Sequence, residues 1–319
     1  MINPFSDELQ QTRNRAEVMQ HANKGVLFGF LAYLMWGFFP LYFKALNMVP
    51  PVQIIAHRFA WSFLIMAVLI SLRKEWGQIW QAVRNVRTLG IYALAICLLA
   101  LNWLIFIWAV NDGHVIDASL GYFINPLLSV ALGVIFLRER LRLLQWLPVG
   151  LAGAGVLYLI VKVGSPPWIA LSLAGTFGLY GLVKKVASLE PIHSLTIETG
   201  VLFLPSCAYL LLAETRGVGA FGHIHPLGNL LLAFAGLMTC VPLLLFSTAA
   251  RSIPLTLVGL LQFVTPTCQF LLGTLLYREP FSSTQLVAFS LIWLALIIFS
   301  VEGIVTRRRS VAVEPVLTP

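Results

Sequence analysis

Long apolar runs separated by short polar stretches fill the chain from about residue 25 to residue 304. Each run is roughly 20 residues long, which is the length of an α-helix that crosses a hydrocarbon core about 30 Å thick. A helix satisfies its own backbone hydrogen bonds, and lipid cannot do this for it. The pattern therefore predicts ten membrane-spanning helices, at about residues 25–46, 52–72, 88–110, 115–137, 143–163, 167–186, 192–213, 228–250, 254–277 and 282–304.

The composition excludes an ordinary soluble domain. Hydrophobic residues make up 59% of the 319 residues and charged residues only 11%, whereas soluble domains carry roughly 25% charged residues. The mean hydropathy is +0.87. The first 24 residues are polar, and no small-residue cleavage site follows the first run, which favours a retained helix over a signal peptide. We expect an all-α integral membrane protein with a multi-pass topology.

The net charge of +8 would suit a nucleic-acid partner if the positive residues formed one polar patch. They follow the loops instead. If the N-terminus is cytoplasmic, most Lys and Arg residues lie on that side, as the positive-inside rule requires. This distribution predicts that both termini are in the cytoplasm, with the lipid bilayer as the surroundings of the protein and no nucleic-acid partner. The predicted inner residues are Arg13, Arg15, Lys24, Arg73, Lys74, Arg84, Arg87, Arg138, Arg140, Arg142, Lys184, Lys185, Arg251 and residues 307–309.

The chain repeats itself at a spacing of 140 residues. YFINPLLSVALGVIFLRER (residues 122–140) and QFVTPTCQFLLGTLLYREP (residues 262–280) share a proline, a glycine and an Arg-Glu pair in the same positions. Because each half holds five helices, an odd number, the second half must enter the membrane from the opposite side. Such inverted repeats are typical of secondary transporters. The predicted organisation is a cytoplasmic segment (1–24), two five-helix repeats (25–163 and 164–305) and a cytoplasmic basic tail (306–319).

Several motifs along the chain resemble one family. Together they are similar to the RarD group, in the EamA branch of the drug/metabolite transporter superfamily. The resemblance implies a ten-helix inner-membrane permease, and the traditional label of the group links it to chloramphenicol sensitivity. The motifs are WGFFPLYFKAL (36–46), IIAHRFAWSFL (54–64), LNWLIFIWAVN (101–111), ASLGYFINPLL (118–128), GLYGLVKK (178–185) and LLQFVTP (260–266).

Arg58 and Glu198 are the strongest candidates for the chemistry of transport. They occupy the same place in the two halves, 140 residues apart, and both lie inside predicted spans. Ionisable residues at that depth are costly and usually face a cavity or one another. We expect Arg58 to bind an anionic or polar group of the substrate or to pair with Glu198, and Glu198 to exchange a proton or bind a cationic group. The alternative is that Arg58 extends to the interface while Glu198 serves helix packing.

The two mid-span prolines, Pro126 and Pro266, predict helix breaks. A proline frees the carbonyl four residues earlier, here on Tyr122 and Gln262, and such breaks are tolerated where protein or a wet cavity supplies partners. The neighbouring Asn125 offers a polar contact. We therefore expect these positions to line a cavity, with a packing kink as the competing interpretation.

Other polar and aromatic residues within spans complete the predicted cavity. Such groups suit a small organic solute with a flat apolar part, although membrane tryptophans are also common in packing and interface positions. His57 could titrate near neutral pH or simply pack. The additional candidates are Trp36, His57, Asn102, Trp103 and Tyr180.

Enzyme, metal and cofactor functions have little support. Asp112, His114 and Asp117, like His223 and His225, stand in short loops that read as solvated turns, and no phosphate-binding loop is found. We predict no enzymatic activity, no cofactor and no metal. The predicted partners are a small organic solute and protons, with exchange as another driving force and both monomer and homodimer open. A passive facilitator or channel is the alternative function.

Overall fold

The computed structural model describes residues 22–111, 115–163 and 168–276, together with residues 286–287, 290–291, 293–295, 297–298 and 301–302. These residues form helices joined by short connections. The helices are α1 (22–37), α2 (Phe39–Ala45), α3 (Pro51–Arg73), α4 (Trp76–Arg84), α5 (Val86–Asn111), α6 (Val115–Phe136), α7 (Leu143–Val163), α8 (Trp168–Val186), α9 (Pro191–Thr215), α10 (Pro226–Ser252), α11 (Leu255–Leu261) and α12 (Val264–Leu271), followed by a π-helical turn over Leu272–Leu276; the described residues after 285 are also helical.

Each predicted apolar run is mostly helical where its residues are described; inside two of the runs the helix is interrupted, at Phe38 and at Gln262 and Phe263. Within the described residues, seven helices are long and apolar enough to cross a membrane, and Gly121–Phe136 of α6 forms a shorter apolar helix. The chain is therefore a multi-pass membrane protein. The number of ten crossings stays a prediction. The short helix α4, which exposes Trp76 and Trp80, was not predicted.

Prolines begin several of these helices. Pro51 is the first residue of α3, Pro191 of α9 and Pro226 of α10. The first helical position has no intrahelical bond for its N–H to lose, and the fixed φ of proline suits it. Pro51 and Pro191 are matched at the repeat spacing. Both serve as helix starts, so this matched pair needs no ligand to explain it.

The helices α3 and α9, at equivalent places in the two predicted halves, run in opposite directions. At one end, Gln53 near the start of α3 donates from Nε2 to the carbonyl of Val218, just after α9 (2.7 Å). At the other end, Glu75 just after α3 pairs with His193 near the start of α9 (Oε2···Nε2 2.9 Å). The start of each helix thus lies beside the end of the other. An inverted repeat requires this arrangement.

The two mid-span prolines differ in their effect, and the prediction of a helix break at Pro126 is wrong. The helix α6 continues through Pro126. Near Pro266 the chain is irregular, because α11 and α12 meet at Gln262 and Phe263. Pro266 has no N–H for the carbonyl of Gln262, which accepts instead from the N–H of Thr265 (3.2 Å). The helix is therefore interrupted at Gln262, the residue whose carbonyl Pro266 was expected to free. The equivalent proline of the first half, Pro126, causes no interruption.

Two glycines allow helices of the two halves to cross closely. A Cβ on Gly236 of α10 would lie 2.5 Å from the backbone carbonyl carbon of Trp61 in α3. A Cβ on Gly259 of α11 would lie 2.7 Å from the carbonyl oxygen of Pro126 in α6. Both distances are well inside van der Waals contact, so these crossings need glycine.

Glu139, just after α6, caps the first turn of α11. Its carboxylate accepts from the backbone N–H groups of Leu255 (Oε1···N 2.6 Å) and Thr256 (Oε2···N 2.9 Å). The first N–H groups of a helix lack intrahelical partners and favour a negative charge. Arg138, with a left-handed φ of 54°, turns the chain here. The Arg-Glu pair of the first half thus holds a helix of the second; its copy at 278–279 lies outside the described residues.

We expect Glu139→Ala to lower the free energy of unfolding by about 1–3 kcal/mol, because two hydrogen bonds from backbone N–H groups to a carboxylate are lost. Unfolding of the purified protein by heat or by sodium dodecyl sulfate measures it. Glu214→Ala is the matched control, since Glu214 is exposed and pairs with an exposed His223, and its loss should stay below about 1 kcal/mol. Equal losses in the two variants would show that the cap does not stabilise α11.

Candidate functional site

A cavity of about 660 Å³ lies among helices of both predicted halves. Its volume falls within the roughly 300–1,000 Å³ of small-molecule sites, and its wall is mostly apolar, as in such sites. At one end it reaches the exposed Asn47 in the connection between α2 and α3. The polar and charged side chains of its wall include Asn47, Arg58, Asn102, Tyr122, Asn125 and Gln262.

Arg58, on α3, is the charged residue of this wall among the described residues. Its side chain is almost fully buried, with the residue 6% exposed. Its Nε donates to Thr239 Oγ1 on α10 (2.9 Å). The guanidinium carbon lies 3.9 Å from the centroid of the Trp103 ring, with the rings of Phe39 and Phe43 at 5.5 and 5.9 Å. Aromatic faces attract a desolvated cation by about 2 kcal/mol, but they carry no compensating charge.

Three side-chain amides of the wall differ in their hydrogen bonds. The Nδ2 of Asn102 donates to two acceptors on α8, at 2.8 and 2.9 Å, and so ties α5 to α8. The Oε1 of Gln262 accepts from Ser129 Oγ at 3.5 Å. The Oδ1 of Asn125 is buried and has no hydrogen-bond partner among the described residues. An unpartnered buried acceptor costs about 1–3 kcal/mol, and this oxygen is shielded from the cavity by its surroundings.

Aromatic rings from both halves pack against one another on the side of the cavity away from Asn47. Trp36 of α1 lies 5.7 Å from both Phe177 of α8 and Phe246 of α10, measured between ring centroids. Tyr180 stacks on Phe246 at 5.8 Å, with 14° between the ring planes. These distances are those of favourable ring pairs. We call this cluster, completed by Tyr33, the aromatic floor.

A buried ion pair lies behind the aromatic floor. Lys184 Nζ on α8 is 2.7 Å from Glu198 Oε1 on α9, and the two side chains are 2% and 0% exposed. Lys184 also donates to Ser194 Oγ (2.7 Å), and Glu198 Oε2 accepts from the hydroxyl of Tyr180 (3.4 Å). Each charge therefore has an opposite charge and a further hydrogen bond, as a buried pair requires.

The structure brings seven of the predicted site residues to the cavity wall; Pro126 and Pro266, which were expected to line a cavity, lie outside it, as do three further candidates. Arg58 and Glu198 do not pair, because Glu198 pairs with Lys184. His57 packs on the ring of Phe221, 5.3 Å between centroids, which matches its packing alternative. A solute-binding role for the residues of the wall stays a prediction. The wall contains Trp36, Arg58, Asn102, Trp103, Tyr122, Asn125 and Gln262, whereas His57, Tyr180 and Glu198 lie outside it.

Sequence reasoning missed the role of Lys184. The charge distribution alone counts it among the inner residues, yet it is buried inside the bundle. Its partner Glu198 stands 14 residues away on another helix, and no local spacing links two such positions. The signal available was the presence of one acidic and one basic residue on consecutive spans, which is too common to select this pair.

The EamA-like transporter family matches residues 23–161 and, a second time, residues 166–301. The chain belongs to this family. The protein RarD of Streptomyces exfoliatus is 45% identical to this EamA-family chain, over 90% of the chain and 91% of the relative. The protein RarD of Escherichia coli strain K12 is 42% identical, over 91% of the chain and 98% of the relative.

A solved crystal structure also resembles the EamA-family chain. It has a TM-score of 0.66 and 18% sequence identity, covering 86% of this chain and 96% of that one; at this identity the likeness shows the fold alone. The family match and the RarD relatives confirm the resemblance seen in the motifs. The chain is a RarD-type membrane transporter of the EamA family.

Proposed function

We propose that this EamA-family transporter is a secondary carrier that moves a small organic solute across the bacterial inner membrane by alternating access. The observation that carries the proposal is the cavity of about 660 Å³, walled by both halves, with rings from both halves packed against one another on one side of it. We interpret this ring cluster as the closed end of the cavity. An alternating-access carrier needs a central site that is open on one side while the other side is closed. A continuous pore needs no such closed end.

The two ends of the cavity are assigned to sides of the membrane by the positive-inside pattern. A cytoplasmic N-terminus puts the α2–α3 connection outside and the α8–α9 connection inside. The cavity then faces outward in this conformation, with the aromatic floor and the Lys184–Glu198 pair on its cytoplasmic side. Inward opening requires Trp36 of the first half to separate from Phe177 and Phe246 of the second.

Proton coupling through Glu198 is the proposed driving force, with solute exchange as the alternative. The carboxylate of Glu198 holds Lys184 and the hydroxyl of Tyr180, which belongs to the aromatic floor. A proton added to Glu198 removes the negative charge that holds Lys184. The contact between α8 and α9 behind the floor would weaken, which links protonation to opening of the inner side.

We expect Glu198→Gln to abolish the response of transport to a proton gradient, because glutamine keeps the shape of the side chain but exchanges no proton. Flux of a solute identified by metabolite-wide comparison of proteoliposomes with and without the protein is measured with and without an imposed pH gradient. Glu214→Gln, at an exposed carboxylate, should respond like the wild type. Gradient-driven flux that survives in Glu198→Gln would remove Glu198 from the coupling mechanism.

A passive facilitator or channel is the second candidate, favoured by the approach to the cavity past the exposed Asn47. Saturable flux with counterflow in proteoliposomes supports the carrier; flux that rises linearly with concentration and lacks counterflow supports the channel. Chloramphenicol added as a competitor in the same assay tests the link suggested by the family resemblance. The cavity is built from one chain, which supports a functional monomer, and mass measurement of the purified protein distinguishes a monomer from a homodimer.

A further inference from the structure

We propose that the solute is an organic anion with an apolar body, whose anionic group pairs with Arg58 inside the cavity. The inference rests on the proposed function and names the class of its substrate. It depends on two features of the described residues: a buried cation with no counter-charge and an apolar wall around it.

The charge of Arg58 is uncompensated by the described protein. Its contacts are a neutral hydroxyl, Thr239 Oγ1, and three aromatic rings, and no carboxylate of the described residues lies within 4.0 Å of it. A buried, unpaired charge in a membrane span is costly. The hydrogen bond uses Nε alone, so the two terminal nitrogens remain available for a bidentate contact with a carboxylate.

Lys184, in the second half of the protein, is a buried cation with a structural role, and it can be compared with Arg58. Lys184 is equally buried, and the chain supplies Glu198 at 2.7 Å to neutralise it. Arg58 occupies the position equivalent to Glu198 in the first half, where it lines the cavity. Of the two buried cations among the described residues, one is balanced by the chain and the other faces the space where a solute fits. The missing negative charge is the one that the solute brings.

The rest of the wall specifies the body of the solute. Rings of Trp36, Trp103, Phe106 and Phe177 line the cavity, which favours a flat apolar body. A positive charge on the solute would be repelled by Arg58, so a cationic amphiphile does not fit this wall.

The test is equilibrium dialysis of the full-length protein in phosphatidylcholine nanodiscs with three probes that share one ring system: naphthylacetate, naphthylethanol and naphthylethylammonium. We expect naphthylacetate to bind about 10- to 100-fold more tightly than the other two. Arg58→Gln should reduce its binding to the level of naphthylethanol, and Arg58→Lys should keep part of the preference, since the charge remains without the planar fork. Absence of naphthylacetate binding at millimolar concentration, or equal binding of the ammonium probe, would overturn the inference.

Folding of the variants is checked in the same samples, with an outcome that a purely structural arginine would not give. Arg58→Met removes an uncompensated charge, and Thr239 keeps its own bond to the carbonyl of Ala235 (2.8 Å). We therefore expect a melting temperature of the ligand-free variant at or above the wild-type value, together with lost anion binding. A lowered melting temperature with anion binding retained would assign Arg58 to packing.

Two further experiments are needed. One distinguishes a soluble anion from a lipid headgroup, and the other distinguishes failure of the anion inference from failure of the transport proposal. Adding phosphatidylglycerol to the nanodiscs should leave naphthylacetate affinity unchanged; competition would assign the site to a lipid headgroup and overturn a soluble substrate. Anion-selective binding that depends on Arg58, without carrier flux in proteoliposomes, would contradict the transport proposal alone. Carrier flux of a neutral or cationic solute that is indifferent to Arg58→Gln would contradict the anion inference alone.

Discussion

Lys184→Met is expected to lower the free energy of unfolding by about 3–5 kcal/mol, because it leaves Glu198 as an unpaired charge in a fully buried place. Ser194 loses its donor at the same time. Unfolding of the purified protein by sodium dodecyl sulfate, followed by circular dichroism, measures the change. Lys74→Met is the matched control, since Lys74 is exposed at the end of α3, and it should change the free energy of unfolding by less than about 0.5 kcal/mol.

The double variant Lys184→Met with Glu198→Leu separates the charge from the packing. Removing both charges leaves neither uncompensated, so the double variant should be more stable than Lys184→Met alone. The hydroxyl of Tyr180 still loses its acceptor, which keeps some of the loss. If the double variant is as unstable as the sum of the two single variants, the pair does not act as a unit.

Gly236→Ala is expected to lower the free energy of unfolding by about 3 kcal/mol, although it adds a single methyl group. This is the upper end of the usual cost of overpacking. The new Cβ would stand 2.5 Å from the carbonyl carbon of Trp61 and 2.7 Å from the backbone nitrogen of Ser62. Backbone atoms cannot rotate away as a side chain can, so α3 and α10 must separate. The same crossing carries the bond between Arg58 and Thr239, and the variant should therefore also weaken binding in the cavity.

Gly90→Ala is the control for Gly236→Ala. Gly90 lies on an exposed part of α5, and no described atom lies within 4 Å of a Cβ placed there. Alanine is the better helix former by about 1 kcal/mol, so this variant should match or exceed the wild type in thermal unfolding. Equal destabilisation of the two variants would mean that the close crossing at Gly236 is not the cause.

Arg58 illustrates how far sequence reasoning reaches into the site. A charged residue within an apolar run is costly enough to mark a cavity or a partner, so its importance could be predicted without coordinates. Its neighbours could not be predicted. Thr239, which binds its Nε, is 181 residues away along the chain, and the rings around its guanidinium are common in any membrane span.

Glu198 shows where the repeat misled. Its match with Arg58 at the repeat spacing suggested that the two share one site. Equivalent positions of an inverted repeat lie on helices that run in opposite directions, as α3 and α9 do, so equal places in sequence fall on opposite sides of the midplane. Pro126 misled in a related way, because the same residue is tolerated within α6 while the chain is interrupted before Pro266.

An all-helical membrane protein, the positions of most of its helices and the family it resembles could all be predicted from the residues alone. These properties are local: a window of about 20 residues carries its own hydrophobicity, and a motif carries its own letters. The folded arrangement was needed to see that Lys184 neutralises Glu198, whereas Arg58 faces a cavity without a counter-charge among the described residues. Charge compensation between helices is a property of packing, because the side chains concerned meet only when the helices that carry them are in contact.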